Sequence, residues 1–388
     1  MGKSAIVGWA HSAFGKLEDA DIEALMGRVV RQALDHASVD PGDVDFVSVG
    51  VFNGGFCRQG FEGSLPALIE PRLRHAPAVR VENACATGSA AVHAALDFIE
   101  SGRGRVALIV GAEKMTATKG GALADVLLAA SYRKEEENPA GFAGIFGGVC
   151  RNYFDLYGDR REELAMIAAK NHQNGLNNPF AHSKQGLTFD FCNTVSDGNP
   201  LVAPPLRRTD CSLVSDGAAA LVVVDSEIAR SLPRAIGFRA RTRVNDFLPL
   251  SRRGAWPFDG ARLAWNDAYD AAGCKLRDLD FVETHDCFTI AEMIEYEAMG
   301  LAKAGEGWKV VRDGTTRMDG KLPVNPSGGL KSKGHPIGAT GVSMHVLSAM
   351  QLCGEAGEMQ IQGATLAGVF NMGGVAVTNY VSIMERIV

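Results

Sequence analysis

The chain is poor in the features that would tie it to an oxidised scaffold, a membrane or a nucleic acid. Eight cysteines among 388 residues are too few for a disulfide framework. No Cys-x-x-Cys pair or Cys/His cluster has the spacing of a zinc site, so no metal is expected. No uninterrupted apolar run approaches the roughly eighteen residues that a membrane helix needs. The opening MGKSAIVGWAHSAFG is strand-like and lacks the apolar core of a signal peptide, and the closing ERIV is not a peroxisomal address. Lysine and arginine number 39 against 45 aspartates and glutamates, a formal charge of −6, with no basic cluster and no acidic tail. Neither nucleic acid nor a lipid surface is therefore an expected partner. These absences point to a reducing, cytoplasmic compartment and a small soluble substrate.

What is present is apolar residue in short runs. A hydrophobic share of 46% can bury a large core, and 45 glycines and 15 prolines punctuate it throughout. Short apolar runs alternate with amphipathic stretches, the pattern of an α/β fold with buried strands. Strands are expected at DFVSVGVF around Val47, RVALIVGAE around Ile109, GAAALVVVD around Val222, LDFVETH around Val282, and along ATLAGVFNMGGVAVTNYVSIM from Ala364. Helical periodicity marks IEALMGRVVRQALDHA from Ile22 and GSAAVHAALDFIESG from Gly88.

The two ends of the chain echo each other. DVDFVSVG from Asp43 matches DLDFVETH from Asp278, and the segment around Cys85 with its following helix matches the segment around His335 with its own. ALIVGAEKM likewise matches LAGVFNMGG. Three matches in one order, at an offset that drifts upward, are what a diverged duplication leaves. The stretch between is richer in charge, Asn and His. The expected division is residues 1–118 with 208–232 as one half, 119–207 as a helical and loop insertion, and 233–388 as the other half.

Three short stretches can carry chemistry. In VENACATGSAAVHAAL, Cys85 follows a strand-like run and precedes a helix. The unpaired N–H groups and dipole of a helix start favour a thiolate there. On these residues alone, nucleophile and buried structural cysteine stand level. In NPSGGLKSKGHPIGATG, glycines at 328, 329, 334, 338 and 341 make an irregular loop that presents His335 between Gly334 and Pro336. The loop lacks the Gly-Lys-Ser/Thr ending of a phosphate loop, which disfavours a nucleotide. In ETHDCFTIAEM, His285 and Cys287 lie two residues apart between an apparent strand and an apparent helix. Cys57, Cys150, Cys192, Cys211, Cys274 and Cys353 read as buried or incidental, and His93 and His345 as packing or capping groups.

NACATGSAA, HDCF, GGLKSKGHPIGATG and NMGGVAVTNY occur in the order and at the approximate spacings of thiolases, and KNHQNGLNNPFA and CSLVSDGAAALVVVD look like the insertion and following strand of that family. The resemblance covers nearly the whole chain. HDCF makes it similar to the sterol-carrier-protein type of thiolase and its prokaryotic relatives. The implied fold is the duplicated five-layered αβαβα arrangement with an insertion. More familiar thiolases carry Asn-Glu-Ala-Phe where HDCF stands and keep a second cysteine in a Cys-x-Gly loop near the C-terminus. Here that loop reads FNMGG, with Asn371 or a neighbour in the cysteine's place, so Cys287 would supply the acid/base thiol and His285 would take the place of the familiar Asn.

The resemblance implies an acyl-CoA C-acyltransferase, cleaving a 3-ketoacyl-CoA or running the reverse Claisen condensation. His335 would activate Cys85, Cys85 would become acylated, and Cys287 would move a proton at the α-carbon. N–H groups of Cys85 and Gly373 would hold the oxyanion, and Met372 would line the acyl pocket. Lys170, Lys184, Arg207 and Arg208 would meet the phosphates of coenzyme A, a co-substrate rather than a resident cofactor. A homodimer is implied. Two other readings keep the fold: a retro-aldol lyase acting on a CoA ester, and a subunit active only with a small zinc-ribbon and OB-fold partner.

Overall fold

The computed structural model describes residues 3–388. Its strands are β1 (Ser4–His11), β2 (Phe46–Gly50), β3 (Ala78–Val81), β4 (Val106–Glu113), β5 (Leu201–Ala203), β6 (Leu206–Arg207), β7 (Gly217–Asp225), β8 (Ile236–Asn245), β9 (Phe281–Glu283), β10 (Leu366–Gly373) and β11 (Thr378–Arg386). Nine of them run in the order β3-β2-β4-β7-β1-β8-β11-β10-β9, and β5 and β6 form a separate hairpin.

The duplication is visible in this order. Outward from the β1/β8 junction, one half runs β1, β7, β4, β2, β3 with two antiparallel pairings followed by two parallel ones. The other half runs β8, β11, β10, β9 with the same sequence of pairings, and a parallel bridge from Val282 to Val324 stands where β3 stands opposite. The three sequence matches fall on β2 and β9, on β4 and β10, and on the helices Thr87–Glu100 and Ile337–Cys353.

Alternation along each strand builds the layers, because successive side chains face opposite ways. From β4, Leu108 and Val110 pack outward against Ile22, Leu25, Val30 and Leu34. Ile109 packs inward with Val92, Leu96, Val342 and Val346 of the two central helices and with Val369 of β10. From β10, Phe370 packs to the far side against Trp265, Ile290 and Met293. The result is helix, sheet, helix, sheet, helix. The two central helices touch backbone to backbone: a Cβ on Gly88 would lie 2.7 Å from the Gly341 nitrogen, and one on Gly341 2.1 Å from that of Ser89. Glycine at this crossing brings the segments preceding both helices, one bearing Cys85 and the other His335, to one place.

Two expected elements differ. The helix from Ile22 is broken into Ile22–Gly27 and Val30–Ala37, because the N–H groups of Arg28 and Val29 bond three residues back, to Leu25 and Met26, and tighten the turn at Gly27. The apolar run from Ala364 is a hairpin of β10 and β11, turned at Gly374 (φ 62°) and Ala376 (φ 51°). Between β4 and β7 the chain forms the helices Gly120–Leu128, Arg133–Glu136, Gly141–Tyr157, Arg161–Gly175 and Phe189–Asn193. Phe146 stacks on Phe288 at 4.3 Å, so the third of these roofs the HDCF loop.

Candidate active site

Cys85 sits on a turn that its neighbours hold from several sides. Ala84 has φ 48°, a left-handed conformation unusual for a residue with a side chain. The N–H groups of Ala86 and Thr87 close the turn on the carbonyls of Asn83 and Ala84, and the Asn83 N–H donates to Thr87 Oγ1 at 2.8 Å. Asn83 Nδ2 also reaches Thr378 Oγ1 (3.2 Å) and Tyr380 Oη (3.0 Å) on β11. The turn ends just before the helix, as expected, but the thiol is not acidic. Burial pushes Cys85 up to about 12, outweighing the opposing backbone N–H groups of Gly374 and Cys85 itself. Cys85 therefore rests as a neutral thiol and needs a base. The N–H that meets the sulfur is that of Gly374, next to the expected Gly373, where an added Cβ would lie 2.5 Å from the Asn83 carbonyl oxygen.

His335 is held so that one ring nitrogen is bare. Its Nδ1 lies 2.7 Å from Thr340 Oγ1, and the Thr340 hydroxyl donates its one hydrogen to the Pro336 carbonyl at 2.9 Å. Thr340 must therefore accept from Nδ1–H, which leaves the lone pair on Nε2, and Nε2 has no partner in the protein. Burial, then the charge of Lys333, lowers His335 to about 3, so the imidazole is neutral at pH 7.

His285 and Cys287 ride on consecutive tight turns: Asp286 N–H bonds the Thr284 carbonyl and Cys287 N–H bonds that of His285 at 2.9 Å. The Cys287 carbonyl accepts from Ser212 N–H at 2.9 Å. Burial, then Cys85 beside it, raises the Cys287 thiol, so it too rests neutral. Buried carboxylates tie this loop to the His335 loop. Asp286 accepts from the N–H groups of Leu330 (2.6 Å) and Lys331 (3.2 Å), and Glu283 from the N–H and hydroxyl of Ser327. Asn171 bridges Asp286 to Glu292. The rings of His285 and His335 meet edge to face at 5.1 Å. Burial, then His335, lowers His285 well below its usual range.

Cys85, Cys287 and His335 line one cavity of ≈ 240 Å³, walled by Leu123, Leu127, Phe142, Val214 and Phe288. Cys211 and Ser212 share its wall. A larger cavity of ≈ 630 Å³ along the Arg161–Gly175 helix contains none of the three reactive groups. The sulfur of Cys85 and one ring nitrogen each of His285 and His335 lie within 4.8 Å of one another, a proximity invisible in the sequence. A sulfur and two imidazole nitrogens this close can exchange protons.

The remaining expected residues fare differently. Met372 is fully buried in the core of the second half rather than on the cavity wall. Lys170 Nζ is turned inward to Glu292 (2.7 Å) and the Val324 carbonyl. Arg207 is buried and committed to Asp210, Asn193 and the Arg161 carbonyl. Lys184 and Arg208 are the two of the four cations expected at phosphate that are exposed, and Lys184 Nζ donates to the Asn178 carbonyl. Asn371 is buried on β10 between Cys85 and His285. Sequence reasoning missed Thr340, although its place five residues after His335, on the first turn of a helix, is where a side chain can reach back to that imidazole.

Residues 4–185 match the model of the thiolase N-terminal domain and residues 244–386 that of the thiolase C-terminal-like domain. An acetyl-CoA acetyltransferase of Methanothermobacter thermautotrophicus is 34% identical over 98% of this chain and 99% of its own. Sterol carrier protein 2 of Bos taurus is 31% identical over 97% of this chain and 71% of its own. Among solved structures, an Ltp2-ChsH2(DUF35) aldolase superposes with a TM-score of 0.82 at 21% identity, covering 99% of this chain and 98% of that one.

Proposed function

The chain belongs to the thiolase family and is an acyl-CoA C-acyltransferase, and from that premise we propose that acyl transfer runs through a thioester on Cys85, with His335 as its base and Cys287 as the second acid/base. The observation that carries this is the single cavity shared by Cys85, Cys287 and His335.

The protons balance as follows. The bare Nε2 of His335 takes the Cys85 proton as Sγ attacks the thioester carbonyl, and the N–H groups of Cys85 and Gly374 hold the oxyanion. As the tetrahedral intermediate collapses, Cys287 gives its proton to the leaving CoA thiolate. That leaves an imidazolium and a Cys287 thiolate facing each other. The thiolate then removes the α-proton of a second acyl-CoA, and the enolate oxygen is held by Nε2–H of His335 and by His285. Attack of the enolate on acyl-Cys85 releases the 3-ketoacyl-CoA, and His335 returns its proton to Cys85. The degradative direction is the reverse.

The neighbour titled an aldolase raises a retro-aldol reading, but two neutral thiols and a bare imidazole nitrogen in one cavity are what an acyl-cysteine route needs. One chain supplies all of these groups, which favours catalysis without a zinc-ribbon partner. The exposed edge strand β3 supports a homodimer, and two thiols sharing a cavity favour a reducing, cytoplasmic setting. Intact mass after exposure to a panel of acyl-CoAs tests the reading: wild type gains one acyl group, Cys85→Ser gains none, and an equal adduct on Cys85→Ser overturns the nucleophile.

A further inference from the structure

His335 lines the cavity and the fully buried His285 sets a ring nitrogen within 4.8 Å of the Cys85 sulfur and of a His335 ring nitrogen, and the hydrogen bonds around them give the two rings opposite tautomers. On His335, Thr340 holds the proton at Nδ1. On His285, the neighbour at Nδ1 is Asn371, fully buried on β10. Asn371 Nδ2 lies 3.1 Å from the Cys85 carbonyl oxygen, which can only accept. That contact fixes which end of the amide points this way, since the reversed amide would set two oxygens against each other. The same Nδ2 lies 2.8 Å from His285 Nδ1. An amide nitrogen carries two hydrogens, one for each acceptor, so His285 Nδ1 holds a lone pair. Its proton is on Nε2, which has no partner in the protein.

We propose that Asn371 is a positioning residue that locks His285 in the Nε2–H tautomer, making it a hydrogen-bond donor to the enolate oxygen and leaving proton abstraction from Cys85 to His335 alone. This rests on the thiolase reading and deepens it. The family's second cysteine could not serve this purpose from the same place as an amide does, because a thiol has one hydrogen and the two acceptors here need two. The lock also separates the half-reactions. The oxyanion of acylation meets the N–H groups of Cys85 and Gly374, whereas the enolate of condensation meets the imidazoles. A bare nitrogen facing an enolate oxygen would repel it, and loss of one such donor lowers kcat by about 10²- to 10³-fold.

The test uses the whole protein labelled with ¹⁵N-histidine. In wild type, the His285 signals, assigned by their loss in His285→Gln, should show a protonated Nε2 and a bare Nδ1, the reverse of His335. In Asn371→Asp a carboxylate faces Nδ1 and should draw the proton there. The same carboxylate sets an oxygen against the Cys85 carbonyl, so acylation should slow as well, and condensation of the pre-acylated variant should slow by about a further 10²- to 10³-fold, with KM little changed. A wild-type His285 protonated at Nδ1 overturns the proposal even if the variant does not fold, and so does an Asn371→Asp enzyme that condenses at the wild-type rate. Failure of the wild type to take up acyl groups would instead remove the thiolase reading.

Discussion

The two halves of the duplicated fold deliver their reactive groups from equivalent places, the segment before a central helix, yet hold them by different means. The Cys85 turn is short and fixed chiefly by backbone geometry: a left-handed Ala84, two closing N–H bonds and the Asn83 N–H on Thr87, with the Asn83 side chain tied to β11. The His335 loop is longer and is held by buried acids that reach it from the HDCF segment, Glu283 at Ser327 and Asp286 at Leu330 and Lys331. The proposed nucleophile needs one position and a turn can set it. Two imidazoles and a second thiol need mutual alignment, and here ionisable groups supply it. The Cys85 turn should therefore tolerate changes of pH and of surrounding side chains, and the His335 loop should not.

The largest effect expected is chemical. Cys85→Ala should lower turnover by roughly 10⁴- to 10⁶-fold and remove the acyl adduct while leaving urea stability nearly unchanged, because the turn is held by its backbone. Cys287→Ala should still form the adduct, more slowly because CoA leaves without the Cys287 proton, and lose about 10²- to 10⁴-fold in condensation of the pre-acylated enzyme, read by single-turnover release of product. Loss of the adduct in this variant would mean that the two thiols do not divide the work.

Stability sharpens the contrast further. Asp286→Ala strands the buried N–H groups of Leu330 and Lys331 and one hydrogen of Asn171. Each unpaired donor costs about 1–3 kcal/mol, so a loss of at least about 3 kcal/mol is expected in urea titration. Asn83→Ala in the first half removes two bonds to hydroxyls that can turn elsewhere, and should cost nearer 1 kcal/mol. Equal costs would erase the distinction between the halves.

The layered fold was legible because its strands are short apolar runs and its repeat survives in three motifs. That Cys85, Cys287 and His335 could meet in one cavity was legible because each sits in a glycine-rich or irregular stretch that regular packing does not require. The partners that set their chemistry were not, because they are distant in sequence and contribute single atoms. Asn371 acts through one Nδ2 on a residue 86 positions from His285, and Gly374 through a backbone N–H. The cations of the insertion misled for the same reason: Lys170 looks free in sequence because Glu292, its partner, is 122 residues away. Arg207 is the exception, since Asp210 stands three residues on and the pairing was there to be read.

The smallest effect concerns Lys333, which is buried beside these groups with its Nζ unpartnered. Burial first, and Lys333 second, lowers His335 from 6.5 to about 3. The unfolded chain thus binds the extra proton between those values, and this contribution to stability is present above 6.5 and lost as pH falls toward 3. Glu113 has the opposite sign: burial lifts it from 4.5 to about 7, so the folded chain binds the extra proton and stability falls as pH rises across that window. Lys333→Met removes the lesser cause at His335 and leaves burial, so His335 should rise only part of the way to 6.5 and the acid limb of Cys85 acylation should move up with it. Glu283 and Asp286 lose the same neighbouring charge and should rise too. All three shifts make the folded state bind more protons at mildly acidic pH, so the pH of maximum stability should move down; an unmoved acid limb together with an unmoved maximum would mean that burial alone sets the chemistry of the second half.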